Sequence, residues 1–150
     1  MIAVDPADPK SPEATALLNA SHAFLRTLYQ PEYNFYLSID DLCAPHIRFF
    51  VAGQDGVPRG CGALANYGDY GEVKSMYTDP AARGAGIGAA LMERIEAEAR
   101  GQGLPLLRLE TGDDLYAAHR LYARCGFVLC GAFGDYTEGP HSVFMEKRLG

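Results

Sequence analysis

Residues 83 to 89 read Arg-Gly-Ala-Gly-Ile-Gly-Ala, between a strand-like run at Glu72–Thr78 and an amphipathic helix opening near Ile87. Three glycines in five positions let backbone N–H groups crowd an anion where a helix dipole is positive, which makes the turn a phosphate cradle. Gly84, Gly86 and Ala89 also satisfy G-x-G-x-x-A, with Glu110 closing a later strand where a ribose-binding acid would sit. Context weighs against a dinucleotide. Asp79-Pro80-Ala81-Ala82-Arg83 separates the strand from the glycines, and too little chain follows for the usual parallel sheet. No Lys-Ser or Lys-Thr pair follows, so a P-loop fails. A tight turn that packs small residues is the plain alternative.

Other reactive side chains offer less. Cys43, Cys61, Cys125 and Cys130 form no C-x-x-C pair and read as reduced, mostly buried thiols. His22, His46 and His141 lack ligand spacing and His119 falls on the exposed side of a short helix, so no metal is expected. A formal charge of -6 argues against nucleic acid as a partner. The N-terminus carries no basic-then-apolar leader, and no apolar run nears the roughly 20 residues that span a bilayer, which predicts a cytoplasmic protein with no membrane association.

The elements that must position the turn follow from periodicity. With 150 residues, 48% of them hydrophobic, one domain over residues 1–150 is expected. Ile2–Val4 reads as a short edge strand; Ser11 caps a helix with Pro12 in its first turn, closed by Pro31. A second helix is predicted over Tyr36–Leu42. Ile47–Ala52, Cys61–Asn66 and Glu72–Thr78 form an antiparallel meander through turns at Asp55-Gly56 and Gly68–Gly71. Ile87, Leu91 and Ile95 share one helical face, and Leu104–Thr111 reads as a strand buried on both faces. A helix from Leu115 to Cys125 and strands at Phe127–Cys130 and Ser142–Leu149 complete the chain, around a loop at Phe133–His141.

Two segments at this separation resemble a known family. Arg83-x-x-Gly86-x-Gly88, preceded by Met76-Tyr77-Thr78-Asp79-Pro80 and followed by a helix, resembles the acetyl-CoA motif of the GNAT-type N-acetyltransferases. Leu121-Tyr122-Ala123-Arg124-Cys125-Gly126-Phe127 resembles their second signature. The tail, Phe133-Gly134-Asp135-Tyr136 and Pro140–Met145, resembles a small bacterial branch called YsnE-like. The resemblance implies an α+β, GNAT-like acyl-CoA N-acyltransferase fold, a mixed central sheet of about six to seven strands flanked by about four helices.

It also implies roles. The coenzyme A pyrophosphate would rest on the N–H groups of Arg83, Gly84, Ala85, Gly86, Ile87, Gly88 and Ala89, and pantetheine would run along the main chain of Met76, Tyr77 and Thr78. Acetyl transfer needs a base, because an alkylammonium titrates near about 10.4, and an acid for the leaving thiolate. Glu72 matches the base of some members; the other reading of Glu72 is an ion pair with Lys74 on the same strand face. Tyr122 matches the general acid. Glu110 and Tyr136 are the acceptor-pocket candidates, with Tyr67, Asp69, Tyr70 and Asp135 on nearby loops. Two positions depart from the pattern: Leu115 stands where an Asn bonds pantetheine, and Thr78 where Val is usual.

The expected reaction is transfer of acetyl from acetyl-CoA to a primary amine of a small molecule or peptide, by direct attack in a ternary complex. A non-catalytic acyl-CoA sensor stays open beside it, with a dinucleotide-binding oxidoreductase behind. Edge strands leave a homodimer open.

Overall fold

The computed structural model describes residues 1–150. Ser11 begins helix α1, Pro12–Leu28, by accepting a hydrogen bond from Ala14 N–H at 3.3 Å, with Pro12 where no N–H partner exists. Strands β1 (Ile2–Pro6), β2 (Ile47–Gln54), β3 (Val57–Asn66) and β4 (Gly71–Thr78) pair antiparallel in chain order. The β2–β3 turn is the two residues Asp55 and Gly56, both at positive φ (53° and 82°), as a tight hairpin matched to strand twist demands. Helix α3 (Ile87–Gly101), strand β5 (Leu106–Gly112), helix α4 (Tyr116–Arg124) and strands β6 (Val128–Cys130) and β7 (Ser142–Arg148) follow, giving the sheet order β1-β2-β3-β4-β5-β7-β6. No helix is long and apolar enough to cross a membrane.

The period-2 alternation of the strands splits the core between the two sheet faces. Leu64, Leu91, Ile95, Leu107 and Leu109 pack together in the cluster under α3. Leu17, Leu18, Leu42, Phe49, Ala63 and Ala65 pack under α1 and the short helix α2, Ile39–Leu42.

The sheet contains one parallel pair, β4 beside β5, and it is brief. Only Gly71↔Leu107 and Glu72↔Arg108 are in register; beyond Glu72 the strands diverge. The β3–β4 register shifts between Cys61 and Ala63, opposite Ser75, whose φ of 58° marks a strained backbone. The bulge and the divergence open a gap in the middle of the sheet.

Two expectations need correcting. Leu104–Thr111 is not buried on both faces: Leu107, Leu109 and Thr111 are buried while Leu106, Arg108 and Glu110 are half-buried, because one face of β5 meets the core while on the other Arg108 lies over the rings of Tyr70 and Phe133 and Glu110 borders the cleft. The predicted helix over Tyr36–Leu42 is only Ile39–Leu42; Ser38 caps it through Asp41 N–H at 3.0 Å, and Tyr36 instead stacks on His22 with centroids 3.9 Å apart.

Candidate active site

The divergence of β4 from β5 leaves a cleft of about 810 Å³. At one end lies the glycine turn. Gly84 and Gly86 stand at φ 82° and 91°, in left-handed conformations that glycine alone adopts freely. Gly86 is the N-cap of α3 and supplies no side chain to it, so the first-turn N–H groups of the helix are left facing outward. Gly88 keeps its place for another reason: a Cβ there would approach Leu121 Cδ2 to 2.8 Å. Asp79 braces the approach, accepting from Ala81 N–H at 3.0 Å and from Arg59 at 3.3 Å. Arg83, Arg120 and Arg124 line this end and make it basic. A di- or trianionic phosphate group fits such a setting.

Met76, Tyr77 and Thr78 line the middle of the cleft. Past Glu72, the edge of β4 that faces β5 has no strand beside it, so its main-chain groups are free for an extended ligand. Leu115, the N-cap of α4, also lines the cleft and offers no polar side chain there.

Tyr122 projects from α4 into the same space with its residue only 6% exposed. Burial holds its phenol well above the usual range, and Cys125 and Glu110 push in the same direction. It stays a protonated hydroxyl at neutral pH, a hydrogen-bond donor at the wall of the cleft. Glu110 borders the cleft from β5; Ser142 Oγ donates to its Oε2 at 2.8 Å. Burial raises its carboxyl above the ordinary value, Ser142 and Lys74 oppose the rise, and Glu72 adds to it.

Glu72 and Lys74 do pair, at 3.3 Å, and both are buried. Tyr136, from the loop before β7, completes the group: its hydroxyl donates to Glu72 Oε2 at 2.6 Å and accepts from Lys74 Nζ at 2.8 Å. Burial, with Glu72 second, raises the Tyr136 phenol, consistent with its role as a donor. Lys74 Nζ also donates to the Phe35 carbonyl at 3.1 Å. Thus Tyr136 and Glu72 meet beneath the cleft, while Glu110, Tyr122 and Lys74 line it.

Several participants escaped sequence reasoning. Tyr136 and the i, i+2 spacing of Glu72 and Lys74 were readable as candidates, but not that Phe35 and Tyr136 both reach Lys74, across separations of 39 and 62 residues. Tyr29 likewise hooks onto the end of β5, its hydroxyl accepting from Asp114 N–H at 3.0 Å. His119 is not merely solvated: its Nε2 meets the Gly112 carbonyl at 2.8 Å. Cys61 is buried and its thiol is pushed up to about 12, so no thiolate is available there. No group of three or more His, Cys, Asp or Glu side chains is arranged to hold a metal.

The pattern that describes the Acetyltransferase (GNAT) family matches residues 14–127. The chain belongs to that family. Its relatives include the IAA acetyltransferase of Azospirillum brasilense, 46% identical and covering 94% of each chain. An uncharacterized N-acetyltransferase of Bacillus subtilis, YsnE, is 36% identical and covers 91% of this chain and 93% of its own. Among solved structures, a putative acyl-CoA N-acyltransferase from Klebsiella pneumoniae superposes with a TM-score of 0.84 at 34% identity, covering 100% of this chain and 99% of that one. The protein is therefore an acetyl-CoA-dependent acetyltransferase with the GNAT fold.

Proposed function

We propose that the enzyme moves acetyl from acetyl-CoA to a primary amine of a small molecule or peptide by direct attack within a ternary complex. The observation that carries this reading is the cleft itself, with an amide cradle at one end and Tyr122 and Glu110 beside the opened edge of β4. Arg83 to Ala89 hold the pyrophosphate, and the main chain of Met76, Tyr77 and Thr78 aligns the pantetheine arm. The incoming ammonium gives up a proton, its nitrogen bonds to the thioester carbonyl carbon, and the carbon–sulfur bond breaks. Tyr122 gives its proton to the departing sulfur. The carboxylate expected to take the ammonium proton was Glu72, whose Oε2 is committed to Tyr136 and Lys74. Glu110 lines the cleft and Glu72 does not, so we assign Glu110 the proton and make Glu72 the support; burial raises the Glu110 carboxyl above its ordinary value, the direction that strengthens a base.

Thiol release from acetyl-CoA across a panel of primary amines tests the proposal, with IAA, the compound in the name of the Azospirillum relative, assayed separately because it carries no primary amine. Transfer to an amine, lost in Glu110→Gln by about 100-fold in kcat with acetyl-CoA binding intact, is the expected result. Acetyl-CoA binding without transfer to any acceptor would identify a sensor instead.

A further inference from the structure

The two ends of the cleft differ in character. The glycine end is basic through Arg83, Arg120 and Arg124. At the other end Lys74 is matched by Glu72 and holds the Phe35 carbonyl and Tyr136, so it has no hydrogen left to offer a ligand. The carboxylates lining the cleft are Glu110, which accepts from Ser142 but is paired with no cation, and Asp114.

Over this end the segment from Tyr29 to Tyr36 forms a strap fixed on both sides of the gap. The Tyr29 hydroxyl is held by Asp114 N–H just beyond β5, and the Phe35 carbonyl is held by Lys74 on β4. Tyr33, Phe35 and Tyr36 from the strap and Phe24 from α1 line the cleft. Tyr36 is kept flat by its stack on His22 (13° between planes), and Arg26 donates to its hydroxyl from outside at 3.3 Å. Phe24 and Phe35 nevertheless stay 40% and 41% exposed. Aromatic faces left open in a concave wall gain most from a flat apolar ring, and an adjacent ammonium is favoured by both the rings and a carboxylate.

We propose that the preferred acceptor is an arylalkylamine, a primary amine one or two carbons from an aromatic ring, its ring against Phe35 and Phe24 and its ammonium at Glu110. The proposal rests on the transferase reading above and adds the substrate class. A polyamine would need several free carboxylates, and the cleft offers two, Glu110 and Asp114, beside three arginines that repel it. A polyhydroxylated amine would leave its hydroxyls against aromatic carbon.

The test compares 2-phenylethylamine, n-hexylamine and spermidine as acceptors by thiol release. The expected kcat/KM for 2-phenylethylamine is at least about tenfold that of n-hexylamine, with spermidine lower still. Phe35→Ala keeps the carbonyl that Lys74 holds and removes only the ring; it should raise KM for 2-phenylethylamine about tenfold more than KM for n-hexylamine. Equal or better use of n-hexylamine or spermidine, or an equal rise for both amines in Phe35→Ala, overturns the proposal. Calorimetric titration of 2-phenylethylamine into the coenzyme A-saturated protein gives a readout free of turnover: binding that Phe35→Ala weakens supports the ring site, and no binding overturns it. Binding without transfer would defeat the transferase reading and leave the ring site standing; transfer only to other amines would do the reverse.

Discussion

Gly86 provides a graded test of where the phosphates sit. Its φ of 91° and ψ of 13° are left-handed, so any side chain there costs about 1–2 kcal/mol of backbone strain. Steric clash adds nothing, because a Cβ would lie 3.7 Å from Ile2 Cδ1, an ordinary contact. Gly86→Ala should therefore fold, with Tm lowered by about 2–8 °C. If the strain is relieved by turning the amides away, acetyl-CoA affinity drops about 5–30-fold. Gly86→Glu adds a carboxylate close to the pyrophosphate. At about 7 Å a unit pair interacts by roughly 2.4 kcal/mol at an effective dielectric of about 20 and roughly 0.6 in bulk water; this exposed turn lies between those limits. A further loss of about 5–30-fold is expected over Gly86→Ala, while Gly86→Lys should recover part of the alanine deficit. Calorimetric titration of acetyl-CoA at low and high ionic strength measures all three, and salt should bring the Glu and Lys variants together as the Debye length shrinks from about 10 Å to about 3 Å. Equal affinity of the Glu and Lys variants at low salt would refute the assignment, because charge at this turn would then be irrelevant to the ligand.

Three further outcomes follow from the same geometry. Tyr122→Phe should lower kcat by about 100-fold while the acetyl-CoA Kd stays within about twofold, and unchanged steady-state turnover would remove Tyr122 as the acid. A Cβ on Gly112 would fall on the Tyr29 hydroxyl, so Gly112→Ala should release the bond from Asp114 N–H, destabilise the protein by about 1–3 kcal/mol in urea unfolding, and raise KM for the amine more than for acetyl-CoA. His22 is buried with its Nε2 unpartnered, and burial lowers its pKa below the usual 6.5. The unfolded chain then takes up the proton first, so this contribution is intact above 6.5 and is lost as pH falls below it towards the lower folded value. Stability measured from neutral pH down to about pH 5 should fall less steeply in His22→Phe than in the parent; identical slopes would dismiss the effect.

The sequence made the glycine turn and the order of elements legible because both are local. Positive-φ turns need glycine at particular places, and helical or strand periodicity needs only a dozen neighbouring residues. That is why Gly84 and Gly86, the Asp55-Gly56 hairpin and the Ser11 cap were readable from neighbouring residues alone. The acceptor end is built differently. Lys74 gathers Phe35 and Tyr136 from two loops, and neither loop has a periodicity that announces its destination. The half-buried face of β5 was hidden for a related reason: an apolar run shows that side chains avoid water, not which neighbouring strand has turned aside.

The short parallel register explains how one strand serves two tasks. Through Gly71 and Glu72, β4 is bonded to β5 and shares its core; three residues later, at Ser75, the left-handed kink turns its main chain towards the gap. A ligand lying along the freed edge would restore pairing that the sheet gave up there. The buried Glu72–Lys74–Tyr136 group sits at the branch point, where a pair of full charges is costly unless each is satisfied. Its three hydrogen-bonded members meet that requirement, and the fourth contact, to Phe35, ties the strap to the sheet. Removing the cation alone would strand the Glu72 carboxylate and free the strap together, so Lys74→Met should cost more in folding stability and acceptor KM than Glu72→Gln, which leaves a hydrogen-bonding side chain in the same place.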